Sequence, residues 1–133
     1  MIKRPKKSLG QNFLIDKNIL EKISNSVIID PSDEILEIGP GTGNLTEFLI
    51  KKKSKKITII EKDKDLVQLL KDKFKNTVEI LNEDFLNFSN NNILKNKLII
   101  FGNLPYNISS QILVKLIINK EKYQYQKLIF MFQ

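Results

Sequence analysis

Apolar residues along this chain switch between the spacing of a helix and short continuous runs. From Asp16, a residue type suited to cap a helix start, Ile19, Leu20, Ile23, Val27 and Ile28 recur near i, i+4, i+8 spacing. That spacing predicts an amphipathic first helix running up to Pro31. Short runs rich in Ile, Leu and Val then occupy 34–38, 57–60, 78–81, 98–101 and 128–132 and read as strands. Helical patterns lie between them near 45–53, 64–74 and 110–119. Strands alternating with helices predict an α/β domain, a parallel sheet with flanking helices joined by right-handed crossovers. The stretch 87–97, with consecutive asparagines at Asn90, Asn91 and Asn92, reads as a loop with a weak turn of helix.

Composition narrows the chemistry. A chain of 133 residues that is 41% hydrophobic can bury one core. Cysteine and histidine are absent, which excludes disulfides, thiolate and imidazole metal sites, Ser-His-Asp triads and cysteine nucleophiles. No metal is expected, and any reaction must use carboxylates, amides, hydroxyls and backbone groups.

Twenty-two Lys and Arg against fifteen Asp and Glu give a net charge of +7, the sign of a protein that meets phosphate backbones. Arg4 is the only arginine, and Ile, Asn and Lys crowd the chain as an AT-rich genome would produce, so charge alone does not decide the partner. Residues 1–15 carry Lys3, Arg4, Lys6 and Lys7 without helical period and read as a basic arm, placed to meet RNA phosphates or else a solvated tail. Residues 16–133 form the domain. No apolar run approaches the ~18–20 residues of a membrane span, and the basic start lacks the apolar stretch of a signal peptide. A cytoplasmic monomer is the expectation.

After the first strand comes Glu37-Ile38-Gly39-Pro40-Gly41-Thr42-Gly43 and then a helix, where a backbone must turn tightly and approach a ligand. Glu61 ends the next strand, where a carboxylate can take two hydrogen bonds from ribose hydroxyls while its charge disfavours a phosphate. The Glu-x-Gly-x-Gly-x-Gly spacing differs from the dinucleotide pattern and resembles motif one of the S-adenosylmethionine-dependent methyltransferases. That cofactor has a cationic tail, which Glu37 can face. At the third strand's end, Asp84 can accept an adenine exocyclic amine, and Phe85 either packs the ring or belongs to the core.

The fourth strand leads into Asn103-Leu104-Pro105-Tyr106. An aromatic amine such as adenine N6 is a poor nucleophile, because its lone pair is delocalised into the ring. The Asn103 amide oxygen and a backbone carbonyl beside Pro105 can accept its two N–H bonds, favouring a pyramidal nitrogen with an available lone pair. Pro105 stiffens the turn, and Tyr106 offers a face for a flipped-out base.

The segments Leu9-Gly10-Gln11-Asn12-Phe13-Leu14, Glu37 to Gly43, Glu83-Asp84-Phe85 and Phe101-Gly102-Asn103-Leu104-Pro105-Tyr106-Asn107-Ile108-Ser109 together resemble the ribosomal RNA adenine dimethyltransferase family. The resemblance covers essentially the whole chain and implies a Rossmann-like methyltransferase fold. It also implies S-adenosylmethionine binding through Asn12 and Leu14 as well as Gly39, Glu61, Asp84 and Asn103. The implied reaction is N6-dimethylation of adenosines in small-subunit ribosomal RNA within a ribosome precursor. The family continues past the fifth strand with further strands and a helical lobe, so the fold is expected to be incomplete at its C-terminus. Two other readings stand beside this one: a non-catalytic RNA- or ribosome-binding remnant, and an amine methyltransferase acting on DNA or protein. Leu104, where related Asn/Asp-Pro-Pro-Tyr motifs have proline, and the Gln-Asn-Phe-Leu arm argue against the latter.

Overall fold

The computed structural model describes residues 16–89 and 98–131, except for the Tyr106 side chain. Asp16 caps α1 (Lys17–Ser24), its carboxylate accepting from the backbone N–H groups of Asn18 and Ile19. This helix stops well before Pro31. Ser24 and Ser26 turn their hydroxyls back onto the carbonyls of Glu21 and Ile23, an alternative to continuing the helix ladder. Ile28, expected on the buried stripe, is therefore 89% exposed, while Val27 and Ile29 pack against the core.

The remaining elements follow in order: β1 (Glu34–Ile38), α2 (Asn44–Ile50), β2 (Lys56–Glu61), α3 (Lys64–Phe74), β3 (Glu79–Asn82), a 3-10 turn (Phe85–Asn87), β4 (Leu98–Asn103), α4 (Tyr106–Ile118), α5 (Lys120–Tyr123) and β5 (Tyr125–Met131). The helix expected from Ser110 begins at Tyr106, because Pro105, with φ −55°, delivers the chain directly into it. β5 begins at Tyr125, earlier than expected. Most of the predicted 87–97 loop lies outside the described residues.

All five strands are parallel, in the order β3-β2-β1-β4-β5. Parallel strands covered on both faces read as continuous apolar runs, and the central residues of β1, β2 and β4 are buried accordingly. Side chains alternate between faces. Ile35, Ile57, Ile59, Ile99 and Phe101 pack with Leu20, Leu45, Leu49, Leu70 and Phe74 from α1, α2 and α3. Leu36, Ile38, Ile60, Leu98 and Ile100 pack on the other face with Phe85, Phe88, Ile112, Leu116 and Tyr123.

The chain builds outward from β1 through β2 to β3, then returns to β1's other side for β4 and β5. That reversal puts the switch point of the sheet between β1 and β4, and open α/β sheets bind ligands beyond the carboxyl ends of the strands at such a point.

Candidate functional site

Strand register brings the candidate residues to this edge. Ile38 pairs with Ile60 on one side and Gly102 on the other, while Glu61 pairs with Asn82. The residues that follow these pairs, Gly39 at the start of its loop and Asn103 as the last residue of β4, thus lie at one level of the sheet.

Gly39, Gly41 and Gly43 all adopt left-handed backbone, with φ of 68°, 61° and 86°, a conformation costing ~1–2 kcal/mol for residues with a Cβ. The Gly39 N–H donates to the Ile60 carbonyl at 3.0 Å, continuing the sheet into the loop. A Cβ on Gly39 would stand 2.3 Å from Leu104 Cδ2, so the glycine loop lies directly on the Asn103-Leu104-Pro105 segment.

Two carboxylates sit beneath this loop. Glu37 is fully buried and accepts a short hydrogen bond from the Thr46 hydroxyl. Burial pushes its pKa up to about 7, with the Thr46 bond opposing and the Glu61 charge adding to the rise. Glu61 is also raised, chiefly by burial, against the pull of backbone N–H groups from Asp63, Gly41 and Lys62; the Asp63 N–H donates to Glu61 Oε2 at 2.9 Å. As pH climbs from the ordinary 4.5 toward about 7, the unfolded chain releases a proton that folded Glu37 retains. Stability from this group is thus full below the lower value, falls across the window and levels above it. Urea midpoints measured at about pH 5 and about pH 8 should show a wild-type loss that Glu37→Gln reduces; equal pH dependence in both proteins would refute this.

At the end of β3, Asn82 Nδ2 donates to the carbonyls of Glu61 and Lys62 at 2.9 and 3.1 Å, clamping the segment that presents Glu61. Asp84 Oδ1 accepts from the Leu86 N–H at 3.1 Å, and Oδ2 lies 3.3 Å from Lys62 Nζ. Phe85 takes the core alternative left open by the sequence: it is 3% exposed, with its ring 5.9 Å from Phe88 and 5.6 Å from Tyr123.

Asn103 ends β4 half-buried, and Leu104 and Pro105 connect it to α4. Of the two carbonyls flanking this turn, that of Pro105 accepts the Ser109 N–H at 2.9 Å as part of the helix. That of Leu104 instead accepts the buried Ser109 hydroxyl at 3.0 Å, which leaves a carbonyl lone pair for a further donor.

Asn12 and Leu14, and the arm residues Lys3, Arg4, Lys6 and Lys7, lie outside the described residues, as does the Tyr106 side chain. Thr46, Asn82 and Ser109 were not singled out from the sequence. Ser109 closes the resemblance motif, which was a usable signal; Thr46 and Asn82 act through contacts that no spacing announces.

The geometry has matching relatives. The sequence profile of the family described as "Ribosomal RNA adenine dimethylase" matches residues 2–133. The chain belongs to that family. A "Ribosomal RNA small subunit methyltransferase A" from Pelagibacter ubique is 52% identical over 134 residues, which cover 100% of this chain and 51% of the relative. One of the same description from Hydrogenobaculum is 45% identical, covering 98% and 50%. Among solved structures, a dimethyladenosine transferase from Plasmodium falciparum matches with a TM-score of 0.78 at 32% identity, covering 92% of this chain and 43% of that one. The 23S rRNA methyltransferase ErmE matches with a TM-score of 0.79 at 27% identity, covering 92% and 48%. This dimethylase-family chain has the Rossmann-like methyltransferase fold and spans about half the length of the curated relatives it matches.

Proposed function

We propose that the protein carries the cofactor half-site and amine-binding motif of an S-adenosylmethionine-dependent N6-dimethyltransferase acting on adenosines of small-subunit ribosomal RNA in a cytoplasmic ribosome precursor. The observation that carries this reading is the meeting of the glycine loop with Leu104, which sets a cofactor cradle against the Asn103-Leu104-Pro105 turn. The donor set suits the cofactor. The left-handed glycines turn the loop tightly against Leu104, Glu61 fits ribose hydroxyls and Asp84 an adenine amine, while Glu37, buried on Thr46, adds negative charge beneath the loop that suits a cationic tail rather than a phosphate.

When bound, S-adenosylmethionine supplies an electrophilic methyl group on a sulfonium. The residues of this chain prepare the nucleophile. Asn103 Oδ1 and the Leu104 carbonyl accept the N–H bonds of the adenine amine, holding its nitrogen pyramidal with the lone pair directed outward. Tyr106 stacks on the extruded base, worth ~1–3 kcal/mol, and Pro105 keeps the turn rigid. Phe85 supports the adenine side from the core. Residues 16–133 are the catalytic-domain portion, acting as a monomer, and residues 1–15 are an arm whose Asn12 and Leu14 bind the cofactor while Lys3, Arg4, Lys6 and Lys7 meet RNA phosphates. Replacing those four bases should flatten the fall of RNA affinity with salt; an unchanged slope would make them a solvated tail.

The reaction is tested by incubating the full-length protein and labelled S-adenosylmethionine with precursor small subunits, DNA and a release factor in parallel. Label is expected in adenine N6 of the RNA, and label only in DNA or protein would overturn the assignment. Calorimetry on Glu61→Ala should show cofactor affinity weakened by about 1–3 kcal/mol in a folded protein, the range for lost hydrogen bonds to a charged acceptor. Unchanged affinity would remove Glu61 from the site.

A further inference from the structure

Lys115 is a lysine turned inward. From α4 its Nζ donates to the carbonyl of Phe85 at 2.5 Å and to that of Phe88 at 2.6 Å, and it lies 4.9 Å from the centre of the Phe85 ring. Drawing an ammonium out of water has a cost that an apolar side chain at this place would avoid. Burial accordingly lowers the Lys115 pKa, with the nearby Asp84 charge opposing that shift and Lys122 adding to it.

The position of the two carbonyls gives the cation a use. They belong to the first residue of the 3-10 turn and to the residue closing it, and the Phe88 N–H also returns to the Phe85 carbonyl at 3.2 Å. At its opposite end the turn is capped by Asp84. One short turn is thus held by the Asp84 carboxylate at its start and by the Lys115 ammonium at its close. Charge-assisted bonds of this kind are roughly twice as strong as neutral ones, enough to fix a turn that contributes only three residues of its own. The helix that carries Lys115 begins at Tyr106, immediately after the turn proposed to hold the target amine.

We infer that Lys115 is a positioning residue for the adenine end of the cofactor site: by gripping the carbonyls of Phe85 and Phe88 it fixes the turn on which Asp84 is mounted, and ties that turn to the helix leading from the amine-binding motif. The inference deepens the cofactor assignment above and rests on it. Lys115 touches neither substrate nor cofactor and acts through Asp84.

A clamp serving stability alone would lower the unfolding midpoint without altering how Asp84 reads its ligand, and a double-mutant cycle separates the two roles. Calorimetric titration of S-adenosylmethionine and S-adenosylhomocysteine is performed on full-length wild type, Lys115→Met, Asp84→Asn and the double variant. Lys115→Met is expected to weaken both ligands about tenfold, while in the Asp84→Asn background it adds little further loss. Lys115→Arg, whose planar donors can reach two carbonyls, should recover most of the affinity. In turnover the loss should appear in KM for the cofactor rather than in kcat. Should Lys115→Met not fold, Lys115→Gln carries the same comparison.

Wild-type-like affinity in folded Lys115→Met, or a full additional loss in the double variant, would overturn the inference while leaving the cofactor assignment intact. A wild type that binds neither ligand would overturn both.

Discussion

Asn103→Ala in the full-length protein is expected to lower methyl transfer by about 10²–10³, the scale seen when one preorganised hydrogen-bonding group is removed from around a reacting centre. Cofactor affinity should be largely retained. The difference follows from where Asn103 stands: at the end of β4, beside the Leu104 carbonyl, it is proposed to act on the attacking amine. Its hydrogen bond strengthens as the nitrogen becomes pyramidal, so the lost interaction belongs mainly to the transition state and is read in turnover. Single-turnover methylation of precursor subunits, with cofactor binding measured in parallel, checks both halves. Near-normal turnover would sink the mechanism, whereas lost cofactor binding would relocate Asn103 to the cofactor pocket.

Gly43→Ala is expected to destabilise the domain by about 2–5 kcal/mol, combining the ~1–2 kcal/mol of left-handed strain with ~1–3 kcal/mol of overpacking. At φ 86° the added Cβ would meet Phe74 Cε2 at 2.6 Å and Leu70 Cδ2 at 3.0 Å. Both residues are buried in the core between α3 and the sheet, so neither can swing away into solvent. Gly39→Ala provides the contrast. Its added Cβ meets the flexible end of Leu104, which can rotate, leaving chiefly the backbone strain and a displaced Leu104 side chain. Urea unfolding should therefore rank Gly43→Ala below Gly39→Ala in stability, and the reverse order would refute the packing account.

The alternation of short apolar runs and helical spacing was enough to predict a parallel α/β sheet, because strands buried on both faces leave a signal that needs no partner to interpret. Strand β1 and helix α3 were legible to the residue, each bounded by turn-forming or capping residues such as Asp63. The first helix was overextended since Ile28 continues its spacing, and spacing does not report that Ser24 and Ser26 hydrogen-bond backward. Strand order was not legible either, as it depends on which neighbours β1 accepts. Of the candidate site residues, Gly39, Glu61 and Asn103 could be located because each stands at or just beyond the end of a recognisable strand. Thr46, Asn82 and Lys115 could not, since each acts on a residue of another element, nine to thirty residues away, and carries no local pattern.

Three left-handed glycines at alternate positions also restrict how such a site can diversify. At those three positions natural selection has almost nothing to adjust, because a substitution there first incurs strain. Preference among ligands would then be tuned at the rim, at the proposed contact residues Glu61 and Asp84, which end or follow strands and stand outside the left-handed backbone. Drift in this lineage should accordingly leave the glycines fixed while new specificities arise at strand termini, a division of labour between an unalterable floor and an adaptable border.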